Sequence, residues 1–450
     1  MNSPRQVVDR IIFGDYVLTL DDARPIVSDG AVAIDQGRIV AVGCARDVRG
    51  KFTSSTEYSG TDTVVLPGLV NGHTHAAMTL LRGYSDDIPL MEWLNEHINP
   101  IEAAVVSEEF VRVGTQLACW EMIRGGTTTF VDMYFFHHET ATVVDEMGIR
   151  ALISASVVDQ PRNDAIDIDD QWKQAKEFVL DWSARSQHTT VSPILGGHAI
   201  YTLKRKHLIQ LREIAMEYEL PVHIHVAESQ FETNYTQTTY GNTPINFLES
   251  IDFFEPHVIA AHVIWSTAQE IDILAQRKVG VIHNPTSNTK IASGIAPIAK
   301  YLDAGVTVGL GTDGAATNND LDMWEEMRLA AYLQKVSTMD PTVLPAKVVL
   351  EMATSKGAEA IGLGSEIGKL REGMRADVIQ VGLKNAHQLP MYDIESHLVY
   401  ATHASDVNRA FVEGKCLYND GEYLTFDPTE VRQKVSQVTD TIRNCQKTLH

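Results

Sequence analysis

Residues 257–285 read HVIAAHVIWSTAQEIDILAQRKVGVIHNP, and residues 306–313 read VTVGLGTD. Short runs of Val, Ile and Ala, each with a His or Asp at or near its end, are separated by longer amphipathic stretches. That is the rhythm of parallel strands joined by helical crossovers. Five further runs upstream carry the same signature: TVVLPGLVNGH (63–73), TTTFVDMYF (127–135), RALISASVVD (150–159), TVSPILGGH (190–198) and LPVHIHVAE (220–228). One intervening helix is punctuated at both ends, by Ser107-Glu108-Glu109 ahead of FVRVGTQLACWEMI and by Gly125-Gly126 behind it. Eight such runs predict an α/β protein built on a (β/α)8, TIM-like barrel over residues 67–365.

Outside the barrel the pattern changes. Residues 6 to about 66 (QVVDRIIFG, YVLTL, GAVAID, GRIVAVG) read as short strands with Gly and Asp punctuation, an antiparallel β unit. GMRADVIQV (373–381), HLVYATHA (397–404) and AFVEGKCLY (410–418) return to strand character. The simplest closure pairs the two ends of the chain in one small, discontinuous β domain, 1–66 plus 366–427. Residues 428–450 form a C-terminal surface helix and tail.

The 450 residues are 44% hydrophobic and 21% charged, which is ordinary globular chemistry and excludes disorder and fibrous architecture. Lys and Arg number 37 against 59 Asp and Glu, a net charge of −22 that repels phosphate backbones and anionic bilayers. No nucleic acid and no membrane partner is expected. Cys44, Cys119, Cys416 and Cys445 form no C-x-x-C pair, so neither a disulfide framework nor a thiolate zinc site is indicated. The same absence excludes the small zinc deaminases that act on flipped bases. MNSPRQVVDRIIFGDYV is not a signal peptide, and no run approaches the ~18 apolar residues of a membrane span. The expected location is cytoplasmic, and a homo-oligomer is compatible with the sequence.

Chemistry concentrates at the strand ends, where barrel enzymes carry their sites. His73, His75, Asp132, Asp159, His198, His225, Glu228, His262, His283 and Asp313 all fall there. His73 and His75 are two apart and share one face of a strand, so both rings can meet at one point. In His223-Ile224-His225 the outer residue, His225, is the third nitrogen ligand, and His223 one layer deeper is a core histidine. Asp313 adds a carboxylate oxygen, completing a mixed N/O set suited to Zn2+ and open to Fe2+. A divalent cation so held lowers the pKa of bound water toward about 7. Glu228 is the best-placed carboxylate to move the proton, and His262 the group to orient that water. His283 and Arg150 are left without a role. The fourth run contains no lysine, since Lys204 falls beyond it, so no carbamylated bridge is available and one metal is expected.

PGLVNGHTHAAMTLLRG, HIHVAES, AAHVIW, HNPTSNTKIASGIAP, GLGTDGAATNNDLDMWEEMR and GMRADVI together resemble the amidohydrolase superfamily. More narrowly, they resemble its 5′-methylthioadenosine/S-adenosylhomocysteine deaminase branch. The resemblance implies a β-sandwich beside the barrel and one zinc ion on His73, His75, His225 and Asp313. It implies that Glu228 shuttles protons, that His262 assists, and that Asp313 accepts a proton from water. It also implies substrate contacts at His198 and at Glu92 in DDIPLMEWLNEHI, where a carboxylate receives the ribose hydroxyls. The chain departs from the branch pattern at Ile200 and Asn99, both beside the expected substrate contacts.

The expected activity is hydrolytic deamination of an adenine nucleoside to the inosine analogue plus ammonia. Two alternatives stay open: an amidohydrolase acting on another N-heterocycle (guanine, pterin, triazine), and a non-catalytic binding or assembly protein on the same barrel.

Overall fold

Eight parallel strands, hydrogen-bonded in chain order, surround the centre of the molecule: Leu69–Thr74, Thr127–Tyr134, Arg150–Val157, Val191–Ala199, Val222–Val226, Val258–His262, Gly280–His283 and Thr307–Leu310. The computed structural model describes residues 5–449 apart from 24, 161 and 187. The eighth strand returns beside the first. There Asp313 N donates to His73 O (2.9 Å), and Asn71 exchanges two bonds with Thr312, at 3.0 and 2.7 Å. Val70, Val131, Leu152, Ile194, Ile259 and Ile282 fill the interior, so the barrel is a packed core open only at its mouth.

The helices follow from their caps. Ser107 accepts Phe110 N (3.2 Å) to open Glu108–Gly125, and Gly126, at φ +84°, closes it. The C-terminal helix, Pro428–Leu449, buries Val431, Val438 and Ile442 on one face. Among the described residues no helix is long and apolar enough to cross a membrane.

The two ends of the chain meet in one mixed sheet of nine strands. Thr63–Pro67 pairs antiparallel with Val378–Gly382, which stitches the N-terminal strands to the C-terminal ones. Three expected strand readings change. TVVLPGLVNGH is two strands, one in each sheet, divided at Gly68, where a Cβ would lie 2.0 Å from the Thr128 hydroxyl. The break expected between QVVDRIIFG and YVLTL is absent: Arg10–Leu18 runs continuously. Gly14 sits within it because Val65 and Tyr16 O crowd the place of a Cβ. HLVYATHA supplies the end of a helix, Ile394–Tyr400; Asp393 caps it by accepting Ser396 N (2.7 Å), and Ile394, Leu398 and Val399 pack inward.

Arg150 is buried at the N-terminal end of the third barrel strand, the end opposite the mouth. It holds Asp377 in two bonds, at 2.7 and 3.1 Å, and reaches Glu413 at 3.3 Å. Asp377 is itself 3% exposed, so the pair joins barrel to sheet with almost no water. Arg150→Met is expected to destabilise the fold by about 3–5 kcal/mol, because it leaves a buried carboxylate uncompensated. Urea unfolding measures this, and a loss below about 1 kcal/mol would contradict it.

Candidate active site

Five chemically loaded side chains converge at the mouth. His73 Nε2 and His75 Nε2 lie 3.3 and 3.2 Å from Asp313 Oδ1, and His75 Nε2 lies 3.3 Å from His225 Nε2. One ligand atom each from His73, His225, His262 and Asp313 falls within 4.8 Å of the others. Positive φ at Ala227 (+51°), His262 (+70°) and Asp313 (+63°) bends three strand exits; such strain persists where the surrounding structure holds it in place.

The far side of each ring determines what the near side can offer. His75 Nδ1 donates to Met133 O and His225 Nδ1 to His198 O, both at 2.6 Å. When both rings are neutral their Nε2 atoms present lone pairs, which face each other at 3.3 Å. Two acceptors in that position require a positive charge between or beside them. The same demand appears in the protonation behaviour. Burial pushes His73 down to about 3 and holds His225 well below the ordinary imidazole value. For His75 burial is overcome by the hydrogen bond and charge of Asp313, which carry it up to about 9. Burial would raise Asp313, but His73 and His75 hold it well below the usual carboxylate range. Imidazole nitrogens around an ionised carboxylate, with their other nitrogens fixed, form a donor set for a tetrahedral divalent ion such as zinc.

The supporting contacts are specific. His73 Nδ1 meets His223 Nε2 (2.8 Å), and His223 Nδ1 meets Ser154 Oγ (3.0 Å), so His223 is a bonded core histidine. His262 Nδ1 meets Asn288 Oδ1 (2.7 Å). Asp313 Oδ2 accepts from Ser287 Oγ (2.6 Å) and Thr317 Oγ1 (3.1 Å), while Oδ1 accepts Gly314 N (2.8 Å). Ser287 and Asn288 share one short helix, Pro285–Lys290, which orients the aspartate and His262 together. Asp132 Oδ1 accepts Thr74 Oγ1 (2.9 Å) and Ala76 N (2.6 Å), fixing the backbone around His75.

A cavity of about 530 Å³ opens over this cluster, with His75, His225, His262 and Asp313 on its walls. Glu228 and His198 also line it. Glu228 is buried, and burial raises its pKa above the ordinary glutamate value. Its backbone N donates to Glu232 Oε2 (3.0 Å), which anchors the turn that carries it. Burial pushes His198 down to about 4, so its ring is neutral at pH 7; its Nδ1 meets Thr202 Oγ1 (3.0 Å).

Other strand-end residues lie elsewhere. Asp159 is held by Lys204 (2.9 Å) and His207 (3.3 Å), and His283 is buried outside the cavity walls. Glu92 also departs from expectation: it is exposed on the single turn Leu90–Glu92 and does not line the cavity. Of the acids in that stretch the one that does is Glu102, on the helix Asn99–Val105, where Tyr134 Oη donates to it and burial pushes it up to about 7. No spacing or periodicity in the sequence points to Glu102, and the resemblance points instead to Glu92. Ser287 and Asn288 lie in the quoted HNPTSN segment, but their partners are 26 residues away in either direction.

A model of the amidohydrolase family matches residues 64–417. The "5'-deoxyadenosine deaminase" of Methanococcoides burtonii is 43% identical over 436 residues, covering 97% of this chain and 98% of that one. The "5-methylthioadenosine/S-adenosylhomocysteine deaminase" of Thermodesulfovibrio yellowstonii is 41% identical, covering 96% and 99%. Among solved structures, an adenosine deaminase from Xanthomonas campestris with bound zinc superposes with a TM-score of 0.95 at 38% identity, covering 98% and 100%.

Proposed function

This chain belongs to the amidohydrolase family, and from that premise we propose zinc-dependent hydrolytic deamination of an adenine nucleoside to its inosine analogue plus ammonia. One observation carries the reading: a buried carboxyl, Glu228, shares a cavity with an imidazole–aspartate cluster whose ligand atoms lie close enough to hold one cation. His73, His75, His225 and Asp313 would hold the zinc. His75 belongs in the set because its Nε2 lies 3.2 Å from Asp313 Oδ1 and 3.3 Å from His225 Nε2. When bound, the ion acidifies water and stabilises developing negative charge.

The chain's own groups supply the rest. Water adds to C6 of the purine while Glu228 delivers a proton to the adjacent ring nitrogen, N1. Asp313 takes the proton that the water releases, and His262, its ring fixed by Asn288, orients the attacking oxygen. Asp313 returns that proton to the exocyclic amine, and as the C6–N bond breaks to release ammonia the C6 hydroxyl proton passes to Glu228, leaving the C6 carbonyl and restoring both carboxyls. Neutral His198 offers a hydrogen bond to the base without placing a charge there. Glu102, which lines the cavity where Glu92 does not, takes the role expected of Glu92 and accepts the two ribose hydroxyls. The acidic surface (net −22) and four unpaired cysteines support a small-molecule enzyme of the cytoplasm that works without nucleic acid.

The direct test adds adenosine, methylthioadenosine, S-adenosylhomocysteine, guanine and a triazine to zinc-loaded protein, following ammonia release and the ultraviolet change at the base. Deamination confined to guanine or the triazine would overturn the nucleoside reading. Glu102→Gln is expected to lower kcat/KM for adenosine by about 10- to 100-fold, through weakened hydrogen bonds to the two ribose hydroxyls. Glu92→Ala is expected to stay within about twofold of the parent. The reverse ranking would return the ribose to Glu92.

A further inference from the structure

Two helices of the barrel open on the same sequence pattern and use it differently. At Thr267-Ala268-Gln269-Glu270 the glutamate accepts the backbone N of the capping residue, Thr267 (2.8 Å), which completes a capping box. Both oxygens of Glu270 are bonded, to Thr267, Thr243 and Asn246. At Ser229-Gln230-Phe231-Glu232 the cap forms in the same way, with Ser229 Oγ accepting Glu232 N (3.3 Å). The glutamate side chain, however, reaches past the capping residue, and its Oε2 accepts Glu228 N (3.0 Å). Glu232 is 0% exposed and does not line the cavity, and its Oε1 makes no hydrogen bond among the described residues. A carboxyl oxygen taken from water without a partner is costly, and capping alone does not require it.

The difference originates where the fifth strand leaves the barrel. Ala227, at φ +51°, turns the chain, and its carbonyl accepts Ile264 N and Trp265 N from the exit of the sixth strand, both at 3.0 Å. Val226 O accepts Val263 N (3.0 Å) in the same way. The segment just beyond His262 thus holds the carbonyl side of this turn. Glu232 holds the amide side, at the residue that carries the Glu228 carboxyl. Burial pushes Glu232 up to about 8 against the backbone N–H groups of Glu228 and Ala227, so at pH 7 it brings little charge to the site.

Resting on the role assigned to Glu228 above, we propose that Glu232 is a positioning residue for the proton transfer: by holding Glu228 N it fixes the direction in which the Glu228 carboxyl enters the cavity. It touches neither substrate nor metal. What the turn needs is an uncharged acceptor oxygen at that reach, and a displacement of about 1 Å at a reacting group is enough to cost ~10²-fold in rate.

The test uses zinc-loaded protein and the compound it deaminates fastest, so a change of substrate leaves the comparison intact. Glu232→Met keeps the length of the side chain but cannot accept the bond, whereas Glu232→Gln keeps an acceptor. The Met variant is expected to lose about 10- to 100-fold in kcat, with KM and zinc content within about twofold of the parent. The Gln variant is expected to recover kcat to within about threefold of the parent. Repeated in Glu228→Gln protein, Glu232→Met is expected to cost less than about twofold, because no proton donor is left to aim. Parental kcat in Glu232→Met overturns the proposal. An equal loss in both backgrounds also overturns it and leaves Glu232 as a support of the fold. A Gln variant as slow as the Met variant overturns it in favour of a charge or proton supplied by Glu232 itself. Should Glu228→Gln alone turn over at the parental rate, the role of Glu228 has failed and that of Glu232 falls with it. If the Met variant does not fold, Glu232→Asp, one methylene short of Glu228 N, replaces it under the same expectations.

Discussion

Glu228→Gln is expected to lower kcat by about 10²- to 10⁴-fold while the protein keeps its zinc, the range lost with a positioned acid–base group. Glu228 lines the same cavity as His225, His262 and Asp313 and lies outside the cluster of mutually close ligand atoms. The amide keeps the shape of the side chain and cannot deliver a proton to the ring. The backbone bond from Glu228 N to Glu232 is untouched by the change, so the turn should hold its form. Steady-state kinetics together with metal analysis separate the two effects. Near-parental turnover would remove Glu228 from the mechanism, and loss of zinc would make it a ligand instead.

Stripping the metal with a chelator is expected to reduce turnover to background, with recovery on adding Zn2+. Asp313→Ala should do the same without recovery. Asp313 is the hub of the cluster: His73, His75, Ser287, Thr317 and Gly314 N all meet its carboxylate. Removing it takes away the one anionic ligand and leaves the facing Nε2 atoms of His75 and His225 uncompensated. Zinc at about a hundred times its Kd should stabilise the parent by about 2.7 kcal/mol, visible as a raised Tm, and Asp313→Ala should lose that rise. Uptake also has a pH sign. His75 is carried up to about 9 beside Asp313 in the metal-free protein, so binding displaces a proton and tightens as pH rises toward that value. A chelated enzyme that retained its rate would refute the metal-dependent reading.

Much of this was legible before any coordinates. The eight strand runs, the cap at Ser107 and the stop at Gly126 are local signals, and each marks an observed element. The strand-end polar residues were legible too, because a packed barrel gives apolar side chains to the interior and leaves its C-terminal rim for chemistry. The misreadings share a cause. Gly14 looked like a break and Gly68 did not, yet the reverse holds, since each glycine answers to a neighbour distant in the chain. HLVYATHA looked like a strand because its apolar run is short, and only packing of Leu398 and Val399 decides for a helix.

The sequence alone settled which elements exist and which residue types stand at their ends, because hydrophobic periodicity and capping act over a few residues. It could not place Glu102 rather than Glu92 on the cavity wall, or join Asn288 to His262. Those outcomes depend on which side chains closure of the barrel brings within hydrogen-bonding distance and withdraws from water. Charge pairing and desolvation are properties of that shared space, and only the folded chain creates it.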